Sequence, residues 1–416
     1  MAEKILAEKA GKREVSPGEI VEAEVDCVML NDVTALPAIK AFERFGERAK
    51  PKPEITVLVQ DHYVPNKDIP SAEQAKAMRE FARKHGIKHY YEVGRGGICH
   101  QVLFEEGFAA PGRLLVGADS HTCTCGALGA FCVGVGSTEA ASAMVLGRLW
   151  FRVPETIKVE VDGRLGEHVM GKDVILHIIG DIGVDGALYR ALEFHGSTLK
   201  HLSLSDRLSI TNMAVEAGAK TGIMPPDARV REHLRGRVRG GYTEVHPDPD
   251  AVYAEELSYS AEEIPPTVAK PYLPSNTAPA SELGHITIDQ AYLGSCTNGR
   301  IEDLRVAARI LMGRKVHPDV RMIVVPASRK VYMQAVEEGL VEVFLHAGAF
   351  VSGPTCGACL GGYMGVLGRG ERAISSTNRN FVGRMGHAES EVYLANPAVV
   401  AASAVTGRIT DPAELD

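Results

Sequence analysis

Short apolar runs recur along the chain, each closing on Gly, Asp, Ser or Asn before the pattern passes into helical periodicity. That alternation predicts an α/β fold built on parallel strands. Residues 55–60 form one such run, followed by Asp61 and His62. Residues 90–93 form a second, followed by a Gly-Arg-Gly-Gly turn and then His100, and residues 114–116 form a third, followed by Asp119, Ser120 and His121. Side chains capable of chemistry therefore stand just past the carboxyl ends of three expected strands, where open parallel sheets bind ligands.

Farther along, 157–161 alternates as a strand, and a helical stretch carries Asn212 and Glu216, whose spacing of four puts both on one helix face. Residues 262–283 hold Pro265, Pro266, Pro271, Pro274 and Pro279 without either periodicity and read as a linker. The α/β pattern then restarts. A strand at 286–293 ends at Cys296, and a helix at 301–311 carries Leu304, Ala307, Ala308 and Leu311 on one face. A strand at 322–325 leads to a helix with Ser328 as its N-cap. Strands at 349–351 and 373–375 run into the Cys356/Cys359 loop and into residues 377–381. The expected organisation is three α/β domains, at 1–150, 151–270 and 285–416.

At 416 residues, 45% hydrophobic and 24% charged, the chain can bury a core in each of several domains. A net charge of -8 and the lack of a dense Lys/Arg block disfavour nucleic acid as a partner and leave small molecules and proteins. The amino terminus has no signal-peptide apolar region, and the Gly/Ala-rich stretch 126–147 is broken by Ser137, Thr138 and Glu139, which argues against a membrane span. A soluble cytoplasmic protein is expected. Eight cysteines without a secretory signal argue against a disulfide framework. Cys27, Cys99, Cys123, Cys125 and Cys132 sit among apolar or small residues, as buried free thiols do. Gly134-Val-Gly136 lacks the third glycine of a dinucleotide fingerprint and reads as a tight loop.

Cys296, alone in a Gly/Ser/Asn loop, and the Cys356/Cys359 pair are the sharpest chemical signal. A Cys-x-x-Cys pair is compatible with redox chemistry or half a zinc site, but structural zinc needs four ligands. Three thiolates holding an iron-sulfur cluster would leave one iron with open positions, turning an electron carrier into a Lewis acid. Spacing alone leaves all three readings open.

Gly294-Ser-Cys-Thr-Asn-Gly-Arg300, Gly353-Pro-Thr-Cys-Gly-Ala-Cys-Leu-Gly361 and Thr377-Asn-Arg-Asn-Phe-Val-Gly-Arg384 resemble the two cluster motifs and the substrate-arginine motif of the aconitase superfamily. Gln60-Asp-His62, Gly97-Ile-Cys-His-Gln101 and Gly117-Ala-Asp-Ser-His-Thr122 resemble its histidine and aspartate motifs, in the same order, so that the resemblance spans residues 31–384. It implies parallel-sheet α/β domains, three in number, around a central cluster site without the fourth, swivelling domain. It implies one 4Fe-4S cluster per chain on Cys296, Cys356 and Cys359, whose open iron takes the substrate hydroxyl and a carboxylate. Arg379 and Arg384 would grip substrate carboxylates. His62, His100 and His121 would be active-site histidines, with Asp61 and Asp119 as partners, and Glu216 and Asn212 would lie near the iron-bound water. Asn31 stands where aconitases proper carry glutamine. The length and motifs resemble the large subunits of 3-isopropylmalate dehydratase and homoaconitase, hydro-lyases that isomerise small 2-hydroxy acids. Isopropylmalate is the expected substrate, with homocitrate or a related malate derivative as alternative. The resemblance further implies a separate small subunit supplying the swivelling domain and the catalytic base. A different reading, a cluster-free RNA-binding regulator, is opposed by the acidic charge.

Overall fold

The structure, a computed structural model, describes residues 1–415. The chain forms two compact units, each assembled from separated segments: Met1–Val161, Ala187–Gly196 and Thr211–Ser258 in the first, and Asp162–Gly186, Ser197–Ile210 and the chain from Tyr259 onward in the second. Of the three expected segments, 1–150 falls in the first unit, 285–416 in the second, and 151–270 is divided between them. No helix among the described residues is long and apolar enough to cross a membrane.

The first unit is centred on five parallel strands, in the order His89–Tyr91, Thr56–Val59, Cys27–Asn31, Leu114–Gly117 and Phe131–Gly134. Cys27–Asn31, Thr56–Val59 and Leu114–Gly117 are buried at every position, as strands covered on both faces must be, which is why the latter two read as largely apolar runs. Helices Asp32–Glu43 and Ile69–His85 both start in capping boxes, and Phe42 meets Phe81 edge to face at 5.3 Å in the core. Strand order reverses between Cys27–Asn31 and Leu114–Gly117, so the loops after these two strands diverge and leave a crevice at the carboxyl edge. A four-stranded sheet, ordered Thr221–Ile223, Ala191–His195, Thr156–Asp162 and Glu255–Ser260, belongs mainly to this unit.

The helix expected through Asn212 and Glu216 breaks between them. Leu204–Met213 is α-helical, and Ala214–Ala217 tightens into a 3-10 turn closed by Gly218 at φ 82°. The tightening accompanies a close approach to the next strand, because a Cβ on Gly222 would stand 2.8 Å from that of Ala214.

The second unit carries seven strands, in the order Thr277–Pro279, Thr267–Ala269, Glu391–Leu394, Arg372–Ser375, Gln290–Leu293, Arg321–Val324 and Phe350–Val351, the last five parallel. The helix at Ile301–Leu311 and the Ser328 cap, which accepts from Val331 N at 3.1 Å, occur as expected. Residues 262–283 are not a free linker: Thr267–Ala269 and Thr277–Pro279 pair antiparallel at the edge of this sheet, with Val268 and Ala269 fully buried. Their prolines are compatible with this because an edge strand does not need every N–H.

Candidate active site

In the first unit the loops at the carboxyl ends of the strands bring the expected acids and histidines together around Asp119. Its Oδ1 lies 3.6 Å from His100 Nε2 and 3.7 Å from His121 Nδ1, and its Oδ2 lies 3.8 Å from His62 Nε2. Asn31 Nδ2 donates to Oδ2 at 3.1 Å, and the His121 backbone N–H donates to Oδ1 at 2.9 Å. Burial opposes ionisation of Asp119, but His100, His121 and His62 outweigh it and hold the carboxyl well below the usual carboxylate range. Asn31 also uses its Oδ1 to cap the following helix, accepting from Val33 N and Thr34 N.

His62 Nδ1 lies 2.7 Å from Asp61 Oδ1 and 3.6 Å from Asp32 Oδ1. Burial alone would discharge the imidazole; Asp61 and Asp32 reverse this and raise its proton affinity well above that of a free histidine. Asp32 is a member of the site that sequence reasoning missed. Its carboxylate accepts the N–H groups of Asp61, His62 and Tyr63 at 3.2, 2.8 and 2.7 Å. Burial resists its charge, yet His62 and these N–H groups keep it ionised below the ordinary range. The signal was present, a polar residue at a strand end, but the strand Cys27–Asn31 before it had not been recognised.

His121 uses Nε2 to meet Glu216 Oε1 at 2.7 Å, and Asn212 Nδ2 donates to Thr124 Oγ1 at 2.7 Å. Asn212 and Glu216 therefore face different neighbours on the same 3-10 stretch, Ser120–Leu128. The Cys99 sulfur is 3.7 and 4.0 Å from the two ring nitrogens of His100. A cavity of about 550 Å³ opens beside Asp119 and Ser120, walled by Val135, Trp150, Tyr189 and Lys220.

The second unit holds the thiols and the arginines. Cys296 follows the strand Gln290–Leu293, Cys356 precedes the short turn Gly357–Leu360 and Cys359 lies within it, and Arg379 and Arg384 lie in the loop after Arg372–Ser375. Gly294 allows its loop to pass close to the neighbouring strand end, since a Cβ there would stand 2.8 Å from Val325 O. Buried Arg300 donates to the carbonyls of Cys296 and Thr297 at 2.5 and 2.7 Å, and Ser376 Oγ ties Gly294 by bonds of 2.9 and 3.0 Å. Asn378, also missed from sequence, reaches two of the sulfurs: Nδ2 is 3.5 Å from Cys296 Sγ, and Oδ1 is 3.7 Å from Cys359 Sγ. Arg384 approaches Cys359 Sγ at 4.0 Å. All three thiols are buried, at 3–6% exposure. An amide N–H faces the Cys296 sulfur and a guanidinium faces that of Cys359, the kind of outer contact that supports ligating sulfurs, so this donor set fits an iron-sulfur cluster.

A sequence profile of the aconitase family (aconitate hydratase) matches residues 3–285 and 275–407. The chain belongs to the aconitase family, a family of hydro-lyases whose members imply an iron-sulfur cluster. It is 60% identical over 415 residues to the 3-isopropylmalate dehydratase large subunit of Thermodesulfovibrio yellowstonii, covering 100% of this chain and 99% of that protein. It is 58% identical to the 3-isopropylmalate dehydratase large subunit of Aquifex aeolicus, covering 100% of this chain and 97% of the relative. In fold it is similar to the crystal structure of Thermococcus kodakaraensis aconitase X in its holo-form, with a TM-score of 0.51 and 12% identity over 86% of this chain and 84% of that one.

Proposed function

We propose that the chain is the catalytic large subunit of a 3-isopropylmalate dehydratase, interconverting 2-isopropylmalate and 3-isopropylmalate by dehydration and rehydration in leucine biosynthesis, in the cytoplasm. The observation that carries this reading is the 60% identity, end to end, with a relative of that name.

Dehydrating a 2-hydroxy acid requires the departure of hydroxide and the loss of a weakly acidic proton beside a carboxylate. A 4Fe-4S cluster on Cys296, Cys356 and Cys359, one per chain, would supply Lewis acidity toward the hydroxyl. His62, kept protonated by Asp61 and Asp32, is suited to deliver a proton to the departing hydroxyl from Nε2, because Nδ1 is engaged by Asp61. Asp119 orients His100 and His121 and stays anionic between them. Glu216 fixes His121 through its other nitrogen. Arg379 and Arg384 offer planar guanidinium forks to the substrate carboxylates, with Asn31 and Asn212 as further polar contacts. The base that removes the carbon-bound proton is assigned to a separate small subunit, an assembly suggested by the relatives' description as large subunits.

The experiment is anaerobic co-purification with an isopropylmalate-type small subunit, iron and sulfide analysis, and assay on 2-isopropylmalate and homocitrate. Bound iron and sulfide with turnover of 2-isopropylmalate are expected. Preferential turnover of homocitrate would overturn the substrate assignment.

A further inference from the structure

Lys172 has no part in the chemistry above, yet its side chain is fully buried in the second unit. It is the second residue of the helix Gly171–Ile182, where the aligned peptide dipoles disfavour a cation. A buried ammonium persists only where acceptors and anions surround it. The acceptors are backbone: Nζ donates to Ser376 O at 2.9 Å and to the carbonyl oxygen of Thr377. These two residues immediately precede Asn378 and Arg379.

The anions are more informative. Burial pushes the Lys172 pKa down to about 7, opposed first by Cys359, then by Asp173, Asp303 and Cys296. Neither aspartate is a secure counter-ion, because burial raises both to about 7. Asp173 is also engaged elsewhere, accepting from Thr267 N, Asn396 Nδ2 and Met170 N. Cysteines become lasting anions when they bind metal. The geometry agrees: this ammonium holds the two carbonyls directly before Asn378, whose amide touches Cys296 and Cys359.

We propose that Lys172 is a positioning residue for the three-cysteine centre, its ammonium balancing the charge of Cys296 and Cys359 and its hydrogen bonds fixing the carbonyls that lead into Asn378 and Arg379. The inference rests on the cluster reading of the cysteines. Asn378 is how the effect of the loop would reach the sulfurs, since its amide touches both Cys296 and Cys359.

The test uses the full chain loaded anaerobically with iron and sulfide, as parent, Lys172→Met and Lys172→Arg. The readouts are the reduction potential of the bound cluster, the rate of iron loss in air, and the thermal unfolding of the cluster-free chain. Loss of the positive charge makes reduction harder, so Lys172→Met is expected to shift the reduction equilibrium at least tenfold toward the oxidised form, about 59 mV for one electron. Iron loss should quicken at least tenfold. Lys172→Arg, which keeps the charge, should hold the parental potential even if its unfolding temperature falls. A loaded Lys172→Met with parental potential and iron retention overturns the inference and leaves the cluster reading intact. A parent that takes up no iron and sulfide overturns both. Should Lys172→Met not fold, Lys172→Arg decides: a parental potential supports the charge role, and a shifted one overturns it.

Discussion

Asp119 illustrates how one residue can organise a site without strong individual contacts. Its three histidine neighbours stand at 3.6–3.8 Å, and it accepts shorter bonds from Asn31 and a backbone N–H. The carboxylate is lowered in the folded state, so its contribution to stability is present above its unfolded pKa of about 4 and is lost as pH falls through the lower folded value. Asp119→Asn is expected to cost about 2 kcal/mol at pH 7, the scale of a charge-assisted hydrogen bond. The deficit relative to parent should narrow progressively below pH 4. Urea unfolding of both proteins across pH 3–8 measures it, and a constant difference over that range would show that the carboxylate is not held ionised by its neighbours. At this scale the sequence was legible where a strand end and polar chemistry coincide, as at His62 and His100, which the fold gathers around Asp119. Asp32, Asn378 and Lys172 escaped because their importance lies in partners brought by folding: Asp32 collects three backbone N–H groups, and Lys172 meets carbonyls about 200 positions away.

Among the elements, the 3-10 stretch Ser120–Leu128 carries His121 and Thr124, the partners of Glu216 and Asn212. It can lie where it does only because Gly126 has no side chain; a Cβ there would stand 1.8 Å from the carbonyl oxygen of Gly222. Gly126→Ala should therefore push the stretch outward, costing about 2–3 kcal/mol, the upper part of the range for overpacking. Activity of the loaded complex should fall further than stability explains, because His121 and Glu216 would separate. Gly241→Ala, with nothing within 4 Å and no left-handed backbone, is the control and should change stability by under about 0.5 kcal/mol. Equal melting temperatures for the two variants would remove the close approach as a constraint. The same crowding explains why the broken helix at Met213 was not legible: local periodicity continues to Glu216, and only packing against Gly222 favours the tighter turn. Pro279 misled in the opposite direction, since a proline that rules out a central strand is harmless at an edge.

Across the whole molecule, each unit has its own apolar core, and neither core is built from metal ligands. Prolonged chelation in air should abolish turnover while leaving helix and strand content by circular dichroism unchanged, and ferrous iron with a thiol reductant should restore it. Full activity after chelation would argue against a catalytic iron. The division of 151–270 between the units could not be read from the chain, because nothing in composition tells which core a segment such as Asp162–Gly186 will join. That interleaving sets the order of events during synthesis. The amino-terminal sheet strands leave the ribosome early, but their unit awaits the segment through Ser258, and His121 stays without Glu216 for 95 residues of translation. The other unit begins at Asp162 and awaits its sheet strand Glu391–Leu394. A nascent chain of this design carries an incomplete core in one unit or the other through most of its elongation, a condition under which chaperones matter. Iron delivery, for its part, becomes an event for the finished polypeptide.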